Sequence, residues 1–145
     1  MPDRATHRSI AFGAALVIFV CALQVWGLRL AAIAAVACLL GEVLCGPDRD
    51  CMTRPSIFTP QGWWNLIWTP YIAMTHHRSF LSHWPIVGAA LRVAYMGVLV
   101  VTVATVAGYD VALYAWARSH VRECVAAYLG LEAAGVLHWL ADRCP

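Results

Sequence analysis

Long apolar runs separated by polar segments dominate the chain. The first run, Ile10 to Leu28, is long enough to cross a hydrocarbon core of roughly 30 Å at about 1.5 Å per residue. Gly27 and Arg29 mark a turn into a second run that is short for a full span. The predicted fold class is all-α: a membrane helix bundle of about four transmembrane helices in a single domain, residues 1–145. The predicted helices are 10–28, 30–45, 86–107 and 121–142, with a link at 108–120 that has room for a helical turn.

The segment 46–85 has a different pattern from the runs around it. Its prolines interrupt long helices, and its Trp and Tyr side chains favour the headgroup level of a bilayer. We expect this amphipathic segment to lie along the membrane surface with one or two short helices and to carry polar chemistry. The residues that support this expectation are Pro55, Pro60, Pro70, Trp63, Trp64, Trp68 and Tyr71.

Composition agrees with a membrane protein. Hydrophobic residues make up 61% and charged residues 12% of the chain, and the mean hydropathy is +0.67, against roughly 45–50% and about 25% for a soluble domain. The net charge is only +2, every basic residue is Arg, and most stand singly. Because nucleic acid binding needs a clustered basic face, we expect the lipid bilayer as a partner and no nucleic acid.

The six cysteines do not form a recognisable metal motif. Cys21 and Cys38 lie inside apolar runs, where cysteine packs as a small hydrophobe. The other four have no zinc-finger spacing, so no cysteine is assigned as a ligand.

Polar residues are concentrated near the two ends of the surface segment. Asp48 and Asp50 follow a Gly-Pro turn, and two carboxylates one residue apart can both reach a cation. His77 and His83 enclose Arg78, whose planar guanidinium matches a phosphate or carboxylate. Charge at a membrane edge is costly unless it is paired or bound to metal, so the pattern predicts a metal site beside an oxyanion clamp. A solvated turn and a polar loop are the structural alternatives.

Further candidates lie on the predicted helices. His138 and Asp142 are four residues apart, so both project from one helix face, as ligands do in helical metal sites. The alternative is a helix-end His beside a surface Asp. Glu42 lies inside an apolar helix, where an acid is by default a functional candidate. It could support a metal ligand, act as a general acid with a raised pKa, or pair with Arg92.

Alternating helices would gather these candidates at one face of the membrane. With four spans, the segments before the first helix, between the second and third, and after the fourth lie on the same side. That face also carries more Arg near helix ends, which places it in the cytoplasm by the positive-inside rule. The candidate ligands gathered there are His7, Asp48, Asp50, His77, His83, His138 and Asp142.

Several short motifs are distributed along nearly the whole chain. They are Thr6-His7, Gly46-Pro47-Asp48-Arg49-Asp50, Trp64, Trp68-Thr69-Pro70-Tyr71, His77-Arg78-Ser79-x-x-Ser82-His83 and His138-x-x-x-Asp142. In this order they resemble a bacterial family of small membrane proteins described as uncharacterised metal-binding proteins. That family looks related to inner-membrane proteins regarded as metal-dependent hydrolases, with a His-Arg-Gly-x-Thr-His hallmark. The order of ligands is also distantly similar to that of zinc-dependent phospholipase C, an all-helical enzyme that cuts phosphodiesters.

The resemblance implies specific roles. Asp50 would be a ligand or a base, and Arg78 would clamp the substrate. Two residues depart from the family's pattern: Trp84 directly after His83, and Arg49 between the aspartates. These departures affect the expectation of substrate access and activity more than that of metal binding. The implied ligands of a divalent metal, zinc first and manganese second, are His7, Asp48, His77, His83, His138 and Asp142.

The predicted function is hydrolysis of a phosphodiester or phospholipid-like substrate at a bacterial inner membrane. The metal would activate a water, Asp50 or Glu42 would shuttle the proton, and Arg78 would stabilise the developing negative charge. Tryptophans flanking a site at headgroup level favour an amphiphilic, phosphate-containing small molecule. The alternative is a non-catalytic metal-binding membrane protein, in which the ion only joins the surface segment to the helix ends. An ion transporter fits less well, because the candidates lie at helix ends and not at the bilayer midplane.

Overall fold

The computed structural model describes residues 4–45, 58–75, 79, 81, 84 and 86–141; within the helices, the description of residues 4–8, 43–45 and 61 is limited to the backbone. These residues form five α-helices and no strand, so the predicted all-α fold class is confirmed. The helices are α1 (Arg4–Cys45), α2 (Pro60–Met74), α3 (Val87–Val106), α4 (Asp110–Ser119) and α5 (Val121–Ala141).

Helix α1 is two arms joined at Gly27. This glycine has φ 77 and ψ 172, a backbone conformation that is essentially restricted to glycine. Ala15 in the first arm and Cys38 in the second belong to one buried cluster with Ala134 of α5. A straight helix would hold Ala15 and Cys38 about 35 Å apart, so the arms fold back on each other and pack together on α5. The break coincides with the turn that Gly27 and Arg29 indicate in the sequence.

Small residues bring the second arm of α1 against α5. A Cβ added at Gly130 would lie 2.9 Å from the carbonyl carbon of Ala34 and 3.0 Å from the Cβ of Ala37. A Cβ at Gly41 would lie 3.1 Å from the Cβ of Ala134. Glycine and alanine at these positions therefore allow the backbones to approach as closely as they do in membrane helix pairs.

Within the part of the chain that the structure describes, three helices are long and apolar enough to cross a membrane: the stretch Ser9–Glu42 of α1, together with α3 and α5. Their outward faces carry large apolar side chains that the described residues leave exposed, among them Val17, Val25, Val98 and Val103. An apolar surface this extensive is unusual on a soluble monomer and suits contact with lipid, which supports membrane association.

Helix α2 lies within the predicted surface segment. The hydroxyl of Thr59 accepts a hydrogen bond from the Gly62 N–H at 3.0 Å, and Pro60 occupies the first turn, so α2 begins with ordinary capping. Trp68 is fully buried, and its ring centroid lies 5.6 Å from that of Tyr95 on α3. The Tyr95 hydroxyl donates to the Ile67 carbonyl oxygen. Aromatic packing and this hydrogen bond therefore dock α2 on α3.

Helix α4 occupies most of the predicted link at 108–120 and follows Gly108, whose φ is 75. Nearby, the Arg29 guanidinium lies 3.0 Å from the Glu123 carboxylate, joining the α1 turn to the start of α5. We call this the turn end of the bundle.

Candidate metal centre

A histidine and a glutamate meet in the last turns of α5 and α1. His138 Nδ1 lies 3.4 Å from Glu42 Oε2, although the two residues are 96 positions apart in the chain. Their side chains are only 1% and 12% exposed. When Nδ1 carries the proton it donates to the carboxylate, which fixes the imidazole orientation and leaves Nε2 as the atom that can bind a metal. The pair therefore has the chemistry of a metal ligand and its supporting carboxylate.

Arg92 of α3 lies against α5 about one turn before His138. It is 6% exposed, and a Cβ added at Gly135 would lie 3.4 Å from its Nη2 atom. Gly135 is three residues before His138 on α5, and Gly41 directly precedes Glu42 on α1. Arg92, Gly41 and Gly135 all line one cavity of about 180 Å³. We call the end of the bundle marked by Glu42, Arg92 and His138 the site end.

Glu132 is a further acid, partly buried, that the sequence-based predictions did not include. Its Oε1 accepts the N–H of Ile86, the residue that precedes α3 and has a φ of 70. Its Oε2 is buried without a hydrogen-bond partner in the part of the chain that the structure describes. The signal that could have found it is the one that marked Glu42, an acid within an apolar helix. Glu132 therefore ties the start of α3 to α5.

The start of α1 also lies toward the site end. Ile10 of the first arm and Leu137 of α5 border the same groove, and Ala15 belongs to the same buried cluster as Ala134. Several described residues are near predicted ligands in the chain, and they therefore lie on the half of the bundle away from the Gly27 turn. They are Ile10, Glu42, Ile86 and His138.

Almost the whole chain matches one protein family. The model of DUF2227, described as uncharacterized metal-binding protein, matches residues 2–145. The chain belongs to the DUF2227 family. No curated protein and no solved structure matches it. The predicted resemblance to a metal-binding family is thus confirmed, whereas the relation to hydrolases, the bacterial origin and the choice of zinc stay predictions.

The predicted site residues of this DUF2227 protein fall into two groups. The structure brings Glu42 and His138 together. The backbone of His7 lies in α1, but its side chain is outside the described residues, as are the whole of Asp48, Asp50, His77, Arg78, His83 and Asp142. Among the residues that are described, no group of three or more His, Cys, Asp or Glu side chains is placed to hold a metal ion. The ligand set of this DUF2227 protein beyond His138 therefore stays a prediction.

Proposed function

We propose that this chain is a membrane-embedded, metal-dependent hydrolase acting on a phosphodiester or phospholipid-like substrate at the cytoplasmic face of a bacterial inner membrane. The observation that carries the proposal is the buried contact between His138 and Glu42. Placing an imidazole and a carboxylate in an apolar bundle is costly unless they hydrogen-bond to each other or coordinate a bound ion. Membership of a metal-binding family makes the ion the better explanation.

The topology of the proposal is four spans, with α1 crossing the membrane twice. Because the arms of α1 fold back at Gly27, its first residues and its last residues lie on the same side. The ion pair of Arg29 with Glu123 lies on the other side. In this proposed topology, the segments that hold His7, Asp48 and the residues before α3 would all lie on the side of the site end.

The metal would be held by His138 Nε2 together with donors from the segments around it. Imidazole nitrogen and carboxylate oxygen suit zinc, and manganese is the second candidate. The remaining proposed ligands are His7, Asp48, Asp50, His77, His83 and Asp142. When bound, such an ion supplies a nucleophile derived from water at neutral pH and a Lewis acid for the phosphoryl or acyl oxygen.

The chain's own groups would do the rest of the chemistry. Glu42 holds the Nδ1 proton of His138 and so keeps Nε2 directed away from itself. Asp50 would accept and return the proton of the attacking water. Arg78 would bind the oxyanion through its planar fork of N–H donors, stabilising charge that develops during the reaction. The result is a site that combines one proton carrier with one anion clamp.

The proposal is tested on purified protein by elemental analysis and by hydrolysis of bis(p-nitrophenyl) phosphate and of phospholipid in mixed micelles, with and without chelator. His138→Ala should lose most of the bound metal. Glu42→Gln should bind it about 10–100-fold more weakly, as loss of a supporting carboxylate does elsewhere. Glu123→Gln, at the turn end, is the matched control and should change neither.

The outcomes separate the alternatives. Unchanged metal content in His138→Ala would remove this residue from the ligand set. Stoichiometric metal that stabilises the fold, with no hydrolysis of either substrate, would favour the non-catalytic role in which the ion only joins the surface segment to the helix ends. Reporter fusions should place both termini in the cytoplasm, and a periplasmic C-terminus would contradict four spans.

A further inference from the structure

The cavity at the site end combines an apolar wall with one charged side chain. It lies between the second arm of α1, α3 and α5 and has a volume of about 180 Å³. Arg92 is the charged residue of its lining. The other lining residues are Gly41, Ala89, Val93, Met96, Leu131 and Gly135. A molecule bound there would meet hydrocarbon on most sides and a guanidinium on one.

Three small residues line this space. Ala89 is 4% exposed and presents only a methyl group. Gly135 presents no side chain toward Arg92, so the guanidinium can lie against the α5 backbone. At Gly41 an added Cβ would press on Ala134 and Leu131, both at 3.1 Å. An apolar cavity of about 150 Å³ accommodates a molecule the size of benzene, so this one holds a fragment of about six carbons.

The charge of Arg92 indicates which kind of molecule would occupy the cavity. Its side chain is more than nine-tenths buried, and a guanidinium in an apolar bundle is stabilised by anions. Arginine carries five N–H donors in a planar fork, so one side chain can serve a carboxylate of the protein and a phosphate oxygen together. A neutral hydrocarbon would contact the apolar lining of the cavity but would make no charged interaction with the Arg92 guanidinium.

We propose that this cavity binds the anionic end of an amphiphile, with a phosphate or phosphonate group on Arg92 and the first carbons of an alkyl chain against Val93, Met96 and Leu131. The inference rests on the proposed function in taking a phosphate compound as the substrate class. It adds Arg92 as the residue that selects for negative charge, and the apolar lining as the part of the cavity that selects for an attached alkyl chain. The cavity borders Gly41, which directly precedes Glu42, and Gly135, which is three residues before His138.

Three small probes separate the possible sources of binding. The full-length protein, purified in a neutral maltoside detergent, is titrated with hexylphosphonate, with inorganic phosphate and with hexanol, and thermal unfolding is followed by Trp fluorescence. Hexylphosphonate should stabilise the protein saturably, at least tenfold more tightly than inorganic phosphate, and hexanol should have no saturable effect. Equal affinity for hexylphosphonate and inorganic phosphate would contradict the preference for an amphiphile. Equal affinity for hexylphosphonate and hexanol would contradict the role of the Arg92 charge.

Variants locate the binding. Arg92→Gln should weaken hexylphosphonate binding at least tenfold, whereas Arg118→Gln, which removes an exposed charge on α4, should leave it unchanged. Ala89→Leu keeps Arg92 and fills the cavity, and should have the same effect as Arg92→Gln; it carries the test if Arg92→Gln does not fold. Wild-type affinity in Ala89→Leu would overturn the proposal.

Hydrolysis is measured on the same preparations, so the two proposals can fail separately. Hexylphosphonate has no ester bond to cleave, and its binding therefore does not depend on turnover. Binding at Arg92 without any metal-dependent hydrolysis would end the proposed function and leave this inference standing. Metal-dependent hydrolysis without binding of hexylphosphonate would end this inference and leave the proposed function standing.

Discussion

The close packing of α1 on α5 can be tested by adding one methyl group at Gly130. In Gly130→Ala the new Cβ would lie closest to the carbonyl oxygen of Ala34 and 2.9 Å from its carbonyl carbon. Carbon atoms pack at about 3.5–4.0 Å, so the two backbones would have to separate by at least about 0.6 Å. Overpacking of this kind costs roughly 1–3 kcal/mol. At about 2–4 °C per kcal/mol for a chain of this size, the melting temperature should fall by roughly 2–12 °C.

The same displacement should reach the candidate metal centre. Moving α5 away from the second arm of α1 lengthens the 3.4 Å contact of His138 with Glu42, which is already at the long limit of a hydrogen bond. We therefore expect Gly130→Ala to lower metal affinity as well as stability, measured by elemental analysis after dialysis and by thermal unfolding in detergent.

Two other helical glycines are the matched controls. A Cβ added at Gly13 or Gly97 meets nothing within 4 Å. Alanine is favoured over glycine in a helix by roughly 0.8–1.0 kcal/mol, so Gly13→Ala and Gly97→Ala should be neutral or slightly stabilising. If Gly130→Ala is as stable as these controls and retains its metal, the close approach of α1 and α5 is wrong.

Substitutions at three further positions test other parts of the fold by thermal unfolding. Gly27→Ala has free space around its Cβ but forces alanine into a conformation restricted to glycine, so it should cost about 1–3 kcal/mol, and a neutral result would contradict the turn in α1. Glu132→Ala removes the acceptor of the Ile86 N–H and should lower stability by about 1–3 kcal/mol, whereas Glu132→Gln retains a carbonyl acceptor and should lose less; equal losses would argue against this hydrogen bond. Arg29→Ala breaks an ion pair in which Arg29 is 70% exposed and should cost less than about 1 kcal/mol, so a larger loss would show that the pair is more deeply buried than the structure indicates.

The all-α class could be predicted because a bilayer leaves the backbone few choices. Within hydrocarbon each N–H and C=O must be paired inside its own segment, so a long apolar run is a helix wherever it packs. The break at Gly27 could also be expected, since Gly27 and Arg29 interrupt an apolar run. The motifs around Asp48, His77 and His138 were enough to indicate the metal-binding family before any contact was known.

The individual members of the site were partly predictable as well. Glu42 and His138 stood out because ionisable groups are rare within apolar helices. Their partnership did not, since the sequence left Glu42 free to support any of the metal ligands, to act as an acid or to pair with Arg92. Glu132 carried the same signal as Glu42, but its contact with the Ile86 N–H depends on how the start of α3 sits against α5.

By itself, then, the sequence determined the helical class, the turn at Gly27, the membership of a metal-binding family and the candidates for its ligands. Only the tertiary structure decided that Glu42 faces His138, that Arg92 lies over Gly135, and that Gly130 sits against Ala34. The physical reason is that helices apolar on every side have no polar stripe to show which face packs inward. In such helices the close approach of glycine and alanine sets the rotation, and contacts between residues far apart in the chain follow from it.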